Sequence, residues 1–140
     1  MGRRAERSRR QGYVAIVLDS DGLSKAAAGH RQIAVALAAS VAAAVPVVVS
    51  TITLTEVLRG RRQDAAVHLL LKTFRVVPVT AAIGRAAGEL LGRTGRKDTV
   101  DAVVVATASD LGGPVRLLTS DPGDLAALAE DLPQVSVRAV

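Results

Sequence analysis

The chain has 140 residues and a formal net charge of +5, which fits a single domain with its own core. The absence of cysteine excludes disulfide frameworks, thiolate nucleophiles and cysteine-ligated zinc. One Phe, one Tyr and no Trp exclude the aromatic platforms on which the common single-strand binding modules stack bases.

Positive charge is concentrated at the start of the chain. The first ten residues hold five of the 18 basic residues and one of the 13 acidic ones, so the remainder is close to neutral. We predict that residues 1–12 form a flexible basic arm and that residues 13–140 form one domain. The arm is either a solvated tail, the product of a misplaced start codon, or an electrostatic contact for nucleic acid.

Two apolar stretches are too short or too divided to act as targeting or membrane segments. The run at 13–18 is too short for a signal peptide and ends at Asp19. The uncharged stretch 33–55 has the length of a ~20-residue membrane helix, but Pro46 divides it and its second half is rich in β-branched residues. We therefore expect a soluble, cytoplasmic protein that does not contact a membrane.

Short apolar strands and helical segments alternate along the chain. Strands are predicted at 13–18, 46–50, 75–79, 114–118 and 135–140, the last as an edge strand. Helices are predicted at 23–28, 30–44, 51–58, 64–74, 80–91, 98–112 and 122–130, with a basic connector at 92–97. This alternation predicts an α/β fold with three α/β/α layers and a mainly parallel five-stranded sheet.

Four acidic residues are predicted to meet at one edge of this sheet. Asp19 ends the first strand, Asp121 follows the fourth, and Glu56 lies in the helix after the second. Asp101 begins a helix that must run antiparallel to the fourth strand, so its start lies at the same carboxyl edge. Binding sites of open parallel sheets form at this edge.

The chemistry of such a cluster indicates a divalent cation. Like charges at close range need a compensating cation, and oxygen-only ligands suit Mg²⁺ or Mn²⁺. A site of this kind suits phosphodiester hydrolysis without a nucleophilic side chain. Most of the acids also have a structural interpretation, as a helix cap or, for Glu56, as a surface ion pair, but Asp101, which lies in an apolar run, is the hardest to explain in this way. For Asp21, Asp98 and Asp124 we favour the cap.

Four stretches of the chain, in order, resemble the PIN-domain ribonucleases, in particular the VapC-type toxins of bacterial toxin-antitoxin pairs. They read VLDS at 17–20, TLTEVLRG at 53–60, DAVVVATA at 101–108 and LTSDPGDL at 118–125. The resemblance implies cleavage of single-stranded RNA, a homodimer and inhibition by a small DNA-binding antitoxin. The Arg-rich extension and Asp21 depart from the family pattern.

The resemblance also assigns residue roles, as expectations. Asp19, Glu56, Asp101 and Asp121 would be the catalytic acids that bind Mg²⁺ or Mn²⁺, with Asp124 as a candidate fifth ligand. Ser20 and Thr119 would orient a ligand or a water. Independently of the resemblance, several cations in predicted turns or helix starts are candidates for neutralising RNA phosphates, foremost Arg59, Arg62, Arg96 and Lys97.

Two other interpretations stay open. The segment LDSDGL at 18–23 resembles the opening of haloacid-dehalogenase-type phosphatases, in which Asp19 would be the nucleophile, Asp21 the acid/base, and the 47–50 segment the source of a hydroxyl. That interpretation leaves Glu56 and Asp101 without a role. The other alternative is a non-catalytic PIN-like binding module with an acidic pocket.

Overall fold

The computed structural model describes residues 12–140, in which five strands alternate with seven α-helices. The strands are β1 (Ala15–Leu18), β2 (Val47–Ser50), β3 (Arg75–Val77), β4 (Val115–Thr119) and β5 (Val135–Ala139). The helices are α1 (Ser20–Ala27), α2 (Arg31–Ala42), α3 (Thr51–Val57), α4 (Ala65–Leu71), α5 (Ala81–Thr94), α6 (Thr99–Asp110) and α7 (Pro122–Leu128). The predicted basic arm, except Gly12, lies outside the described residues.

The strands form one sheet in the order β3-β2-β1-β4-β5, and all four pairings are parallel. The predicted fold is therefore confirmed, and β5 is an edge strand as expected. The chain moves outward from β1 in both directions, which places the switch in strand order between β1 and β4. Asp19 and Asp121 directly follow these two strands, where parallel sheets form their binding crevices.

The core consists of two layers of packed side chains, one on each face of the sheet. On one face, residues such as Val17, Val48 and Leu117 pack against α5, α6 and α7. On the other, residues such as Ile16 and Leu118 pack against α1, α2 and α4. This arrangement follows from strands that are apolar on both sides, and it confirms the three layers.

Helix α6 is the most enclosed of the helices. Its seven successive residues 102–108 are all buried, which explains why the sequence there shows almost no amphipathic pattern. Because α6 is enclosed, the position of its first turn, and with it the position of Asp101, is fixed by packing.

Several predicted boundaries and caps were wrong, and three of them have a clear physical reason. Helix α1 begins at Ser20 rather than at residue 23, because the Asp19 side chain caps it by accepting a hydrogen bond from the Gly22 amide. Helix α5 continues through the first half of the predicted 92–97 connector to Thr94, and Gly95 ends it in the left-handed conformation at φ 68°. Asp64 does not cap α4. Its carboxylate instead accepts amide hydrogen bonds from the preceding loop, residues 59–61.

None of the helices between residues 12 and 140 is both long enough and apolar enough to cross a bilayer.

Candidate metal centre

The four predicted acids line a single cavity of about 240 Å³ at the carboxyl edge of the sheet. Asp19 follows β1, and Asp121 follows β4. Glu56 lies in the last turn of the short helix α3, and Asp101 lies in the first turn of α6. The cavity is also lined by Asp98, Asp124, Ser20, Thr119, Asp21 and Leu125.

Several of these carboxylates also cap helices. The Asp19 carboxylate accepts a hydrogen bond of 2.7 Å from the Gly22 amide, and Asp121 accepts one of 3.4 Å from the Gly123 amide. Asp98 caps α6 through the amide of Asp101 at 3.2 Å. A carboxylate has two acceptor oxygens, so capping and cation binding do not exclude each other. The caps fix the side chains at the cavity wall.

Two hydroxyl groups support the acids, at the positions that the sequence singled out. Ser20 Oγ donates a hydrogen bond of 2.8 Å to Glu56 Oε1, which joins α1 to α3. The buried Thr119 hydroxyl accepts a hydrogen bond of 3.1 Å from the Asp121 amide. Burial raises the pKa of Asp19, and the Thr119 side chain opposes this shift, which favours the ionised form of that acid.

The acids are electrostatically coupled. Burial raises the pKa of Asp19, and the charges of Asp21 and Glu56 add to this effect. Burial likewise raises the pKa of Asp101, to about 7, with further contributions from Asp98, Asp19 and Glu56. When neighbouring carboxylates raise each other's pKa in this way, a cation between them stabilises their ionised forms.

One close group of three carboxylates within the cavity includes Asp98, which the sequence did not predict as a ligand. Asp98, Asp101 and Asp124 each offer one carboxylate oxygen, and these three oxygens lie within 4.8 Å of one another. Asp98 was expected only as a cap, and Asp124 was treated preferentially as one. The signal that the sequence offered was the spacing of Asp98 and Asp101, since residues three apart share one face of a helix turn. An all-oxygen donor set of this kind fits Mg²⁺ or Mn²⁺.

Of the four cationic residues proposed for RNA, one contacts the acids. Arg96 Nη2 hydrogen-bonds with Asp124 Oδ1, as an ion pair at the rim of the cavity. Arg59 instead donates to the carbonyl groups of Thr55 and Leu58 at the end of α3. Arg62 and Lys97 are exposed and do not line the cavity. RNA binding by these side chains stays a prediction.

The geometry gives no support to the phosphatase alternative. Ser50, which was to supply the hydroxyl, is fully buried, and its Oγ caps α3 by accepting from the Ile52 amide at 3.2 Å. Glu56 and Asp101, which that mechanism leaves idle, are part of the same cavity wall as Asp19.

The fold and the cavity define an α/β protein with a candidate hard-metal centre at the switch in strand order. The family described as PIN domain matches residues 16–131. The chain therefore belongs to the PIN-domain family. The comparison with curated proteins gave no match.

Three solved structures of similar fold are bacterial protein complexes. VapBC2 from Rickettsia felis, bound to a promoter DNA fragment, has a chain with a TM-score of 0.70 and 15% identity, covering 90% of this chain and 98% of its own. A chain of a toxin-antitoxin complex from Klebsiella pneumoniae has a TM-score of 0.66 and 24% identity, and the match covers 86% of this chain and 95% of that one. A chain of DNA-bound VapBC from Salmonella typhimurium has a TM-score of 0.67 and 17% identity, and the match covers 89% of this chain and 97% of that one. At this level of identity the likeness is one of fold.

Proposed function

We propose that this protein is a metal-dependent endoribonuclease that hydrolyses phosphodiester bonds in single-stranded RNA, and that it is the toxin of a toxin-antitoxin pair. The observation that carries the proposal is the convergence of acids from separate elements on one cavity, in a chain of the PIN-domain family. PIN domains are generally nucleases. We place the activity in the cytoplasm, where RNA substrates are found.

Mg²⁺ or Mn²⁺ would be held by Asp19, Glu56, Asp101 and Asp121, with Asp124 as a further ligand. When bound, such an ion lowers the pKa of a water and neutralises charge on a phosphate. The protein's own contribution is to fix the donors: Ser20 holds Glu56, and the helix caps hold Asp19 and Asp121. Asp98 adds a sixth carboxylate to the wall of the same cavity.

Arg96 is the cation best placed to contact the substrate. Its guanidinium already lies at the rim of the acidic cavity, paired with Asp124, and both side chains are partly exposed to solvent. A guanidinium can donate two parallel hydrogen bonds to the oxygens of one phosphate. We propose that Arg96 contacts a backbone phosphate of the RNA, with Arg59, Arg62 and Lys97 contributing sequence-independent attraction.

The proposed partners are a small DNA-binding antitoxin and a second copy of the chain. Support for the antitoxin comes from the solved structures of similar fold, which are a toxin-antitoxin complex and VapBC complexes with DNA. Two of these complexes are bound to DNA, which fits a partner that binds DNA.

Cleavage of single-stranded RNA tests the proposal directly. The purified protein should cut RNA with Mg²⁺ or Mn²⁺ and stop when EDTA is added. Asp101→Asn should lower the rate at least 100-fold, the size of effect expected when a group that stabilises the transition state is lost. Asp110→Asn is the matched control, because Asp110 is exposed at the far end of the same helix.

The result also separates the alternatives. Metal binding without RNA cleavage by the wild-type protein would favour the non-catalytic module. Hydrolysis of a simple phosphomonoester with a trapped aspartyl-phosphate at Asp19 would support the phosphatase interpretation instead. Retention of full ribonuclease activity by Asp101→Asn would refute the proposed site.

A further inference from the structure

A second cavity lies at the opposite edge of the sheet, where the strands begin. It has a volume of about 290 Å³ and lies between the C-terminal half of α2 and the starts of β1 and β4. The helix and the residue that follows it present only small side chains to the cavity, namely Ala36, Ala39, Ser40 and Ala43. Because no large side chain of α2 reaches the sheet here, residues 12–140 leave this space open.

The floor of this cavity carries a cation in the middle of the sheet. Arg116 belongs to β4, which is paired with β1 on one side and β5 on the other. Its guanidinium lies 4.5 Å from the centre of the Tyr13 ring, and its Nη2 donates a hydrogen bond of 3.2 Å to the Tyr13 hydroxyl. Its Nε–H is buried and has no hydrogen-bond partner within residues 12–140. Leaving a buried donor unpaired is unfavourable.

A second guanidinium adds to the positive potential. Ser136 and Arg138 lie on β5 in register with Arg116 and Leu118, so all four side chains leave the same face of the sheet. The hydrogen bond with Arg116 is the largest cause that lowers the pKa of the Tyr13 phenol. The polar side chain of Ser136 and the positive charges of Arg116 and Arg138 lower it further. Among the described residues, no carboxylate lies within 4.0 Å of either guanidinium.

Neither the backbone carbonyl groups nor the hydroxyl group of α2 supplies an acceptor for the Arg116 Nε–H, which has no hydrogen-bond partner among residues 12–140; these groups bond within the helix end instead. The carbonyl groups in the last turn of α2 accept hydrogen bonds from the amides of Ala43, Ala44 and Val45. The Ser40 hydroxyl donates to the Leu37 carbonyl at 2.7 Å. In the part of the chain that the structure describes, Arg116 makes one side-chain hydrogen bond, the one to Tyr13.

We propose that this cavity binds a small organic anion, with its carboxylate or phosphate group against Arg116 and Tyr13 and its apolar part against the alanines of α2. Guanidinium groups pair with carboxylate and phosphate in well-defined geometry, and the volume is at the lower end of the range for small-molecule sites. The site lies roughly 16 Å from Asp121, at ~3.3 Å per residue along β4. It is therefore separate from the acidic cavity and independent of the proposed ribonuclease activity.

Binding is measured with three probes, each titrated into the full chain by calorimetry and by two-dimensional NMR. Benzoate and phenyl phosphate combine an anion with an apolar ring, and inorganic phosphate is the bare anion. The protein is first treated with EDTA and then exchanged into metal-free buffer without EDTA, so that no anion is held through a metal at the acidic cavity and no chelator competes for the site. Saturable binding of benzoate or phenyl phosphate, with shifts centred on residues 12–16, 36–45 and 116, is expected.

Variants separate the proposed site from non-specific attraction. Arg116→Met should weaken binding at least tenfold. Ala36→Leu should do the same by filling the cavity, although Arg116 is retained. Arg75→Met is the matched control, because Arg75 is an exposed strand arginine on the far side of the sheet, and it should leave binding unchanged. Circular dichroism verifies that each variant is folded. If Arg116→Met does not fold, Arg116→Lys, which keeps the charge, takes its place.

Two results overturn the proposal. One is that none of the three probes binds saturably; the other is that folded Arg116→Met binds as tightly as the wild type. If inorganic phosphate binds as tightly as phenyl phosphate, the role given to the apolar wall is wrong.

Discussion

The replacement of Asp101 by Asn has opposite consequences for stability in the absence and in the presence of metal. In the metal-free protein the native state raises the pKa of Asp101 from 3.8 to about 7, first through burial and then through Asp98 and the other acids. The folded protein therefore holds a proton that the unfolded chain releases between these pH values. Stability falls as pH rises across this window, and the penalty is complete only above pH 7.

The size of the effect follows from the shift. Each tenfold change in an acid constant corresponds to ~1.4 kcal/mol. The raised pKa of Asp101 can therefore lower the free energy of unfolding by at most roughly 4 kcal/mol at pH 8. Asp101 is only half-buried, and solvent screening reduces this to about 1–2 kcal/mol. Since a chain of this size gains roughly 3–5 °C in Tm per kcal/mol, Asp101→Asn should melt roughly 3–10 °C above the wild type at pH 8 in EDTA.

The assay is thermal unfolding by circular dichroism at pH 4 and pH 8, with EDTA or with excess Mn²⁺. At pH 4 the two proteins should melt within about 2 °C of each other, since Asp101 is then protonated in the native state. With Mn²⁺ at pH 8 the order should reverse, because ligand binding stabilises only the protein that retains the site. Asp110→Asn should follow the wild type throughout.

Two outcomes would refute this reasoning. In the first, Asp101→Asn is no more stable than the wild type at pH 8 in EDTA, which would mean that burial and the neighbouring acids do not raise the pKa of Asp101 in the folded state. In the second, Mn²⁺ raises the Tm of Asp101→Asn as much as that of the wild type, which would mean that the ion binds elsewhere.

Three further predictions follow from particular contacts. Stabilisation of the wild type by Mg²⁺ should grow between pH 6 and pH 8, because Asp101 must lose its proton to bind the ion. Asp64→Ala should lower stability at pH 7, since three amide hydrogen bonds, first that from Arg59, lower the pKa of Asp64. This loss should vanish as pH falls through the native pKa, as urea titrations at pH 7 and pH 2 will show. Gly22→Ala should destabilise by about 1–3 kcal/mol, because its Cβ would lie 2.8 Å from the Leu118 carbonyl oxygen.

Each of these predictions has its own check. A pH-independent effect of Mg²⁺ would exclude Asp101 as a ligand, and a deficit of Asp64→Ala that persists at pH 2 would exclude the charged hydrogen bonds as its cause. For Gly22, the control is Gly88→Ala in the middle of α5, where a Cβ would meet nothing within 4 Å. That variant should gain about 0.5–1 kcal/mol, and equal effects at the two glycines would contradict the packing argument.

The fold was predictable because its signals are local. Apolar runs such as the one that became β1 are buried on both faces, and this pattern distinguishes parallel strands without any long-range information. The boundaries were less predictable because they depend on side-chain hydrogen bonds. Asp19 extended α1 by capping it, and Asp64 bonded to the loop before α4 instead of to the helix.

The placement of the acids was predictable to the level of the sheet edge. Strand direction alone brings Asp19 and Asp121 to the carboxyl edge, and the antiparallel course of α6 brings Asp101 there. The ångström-scale groupings depend on how helix starts pack against each other. Asp98 and Asp101 meet Asp124, and Arg96 pairs with Asp124, 28 residues away, because α6 and α7 begin side by side.

The sequence by itself determined the alternation of strands and helices, the edge at which the acids collect, and the oxygen-only character of their donors. Only the tertiary structure decided which carboxylates approach most closely, and that Arg116 and Tyr13, 103 residues apart, share a cavity beneath α2. The physical reason is that periodicity fixes the face and the end of an element, whereas contact between side chains requires the packed positions of several elements at once.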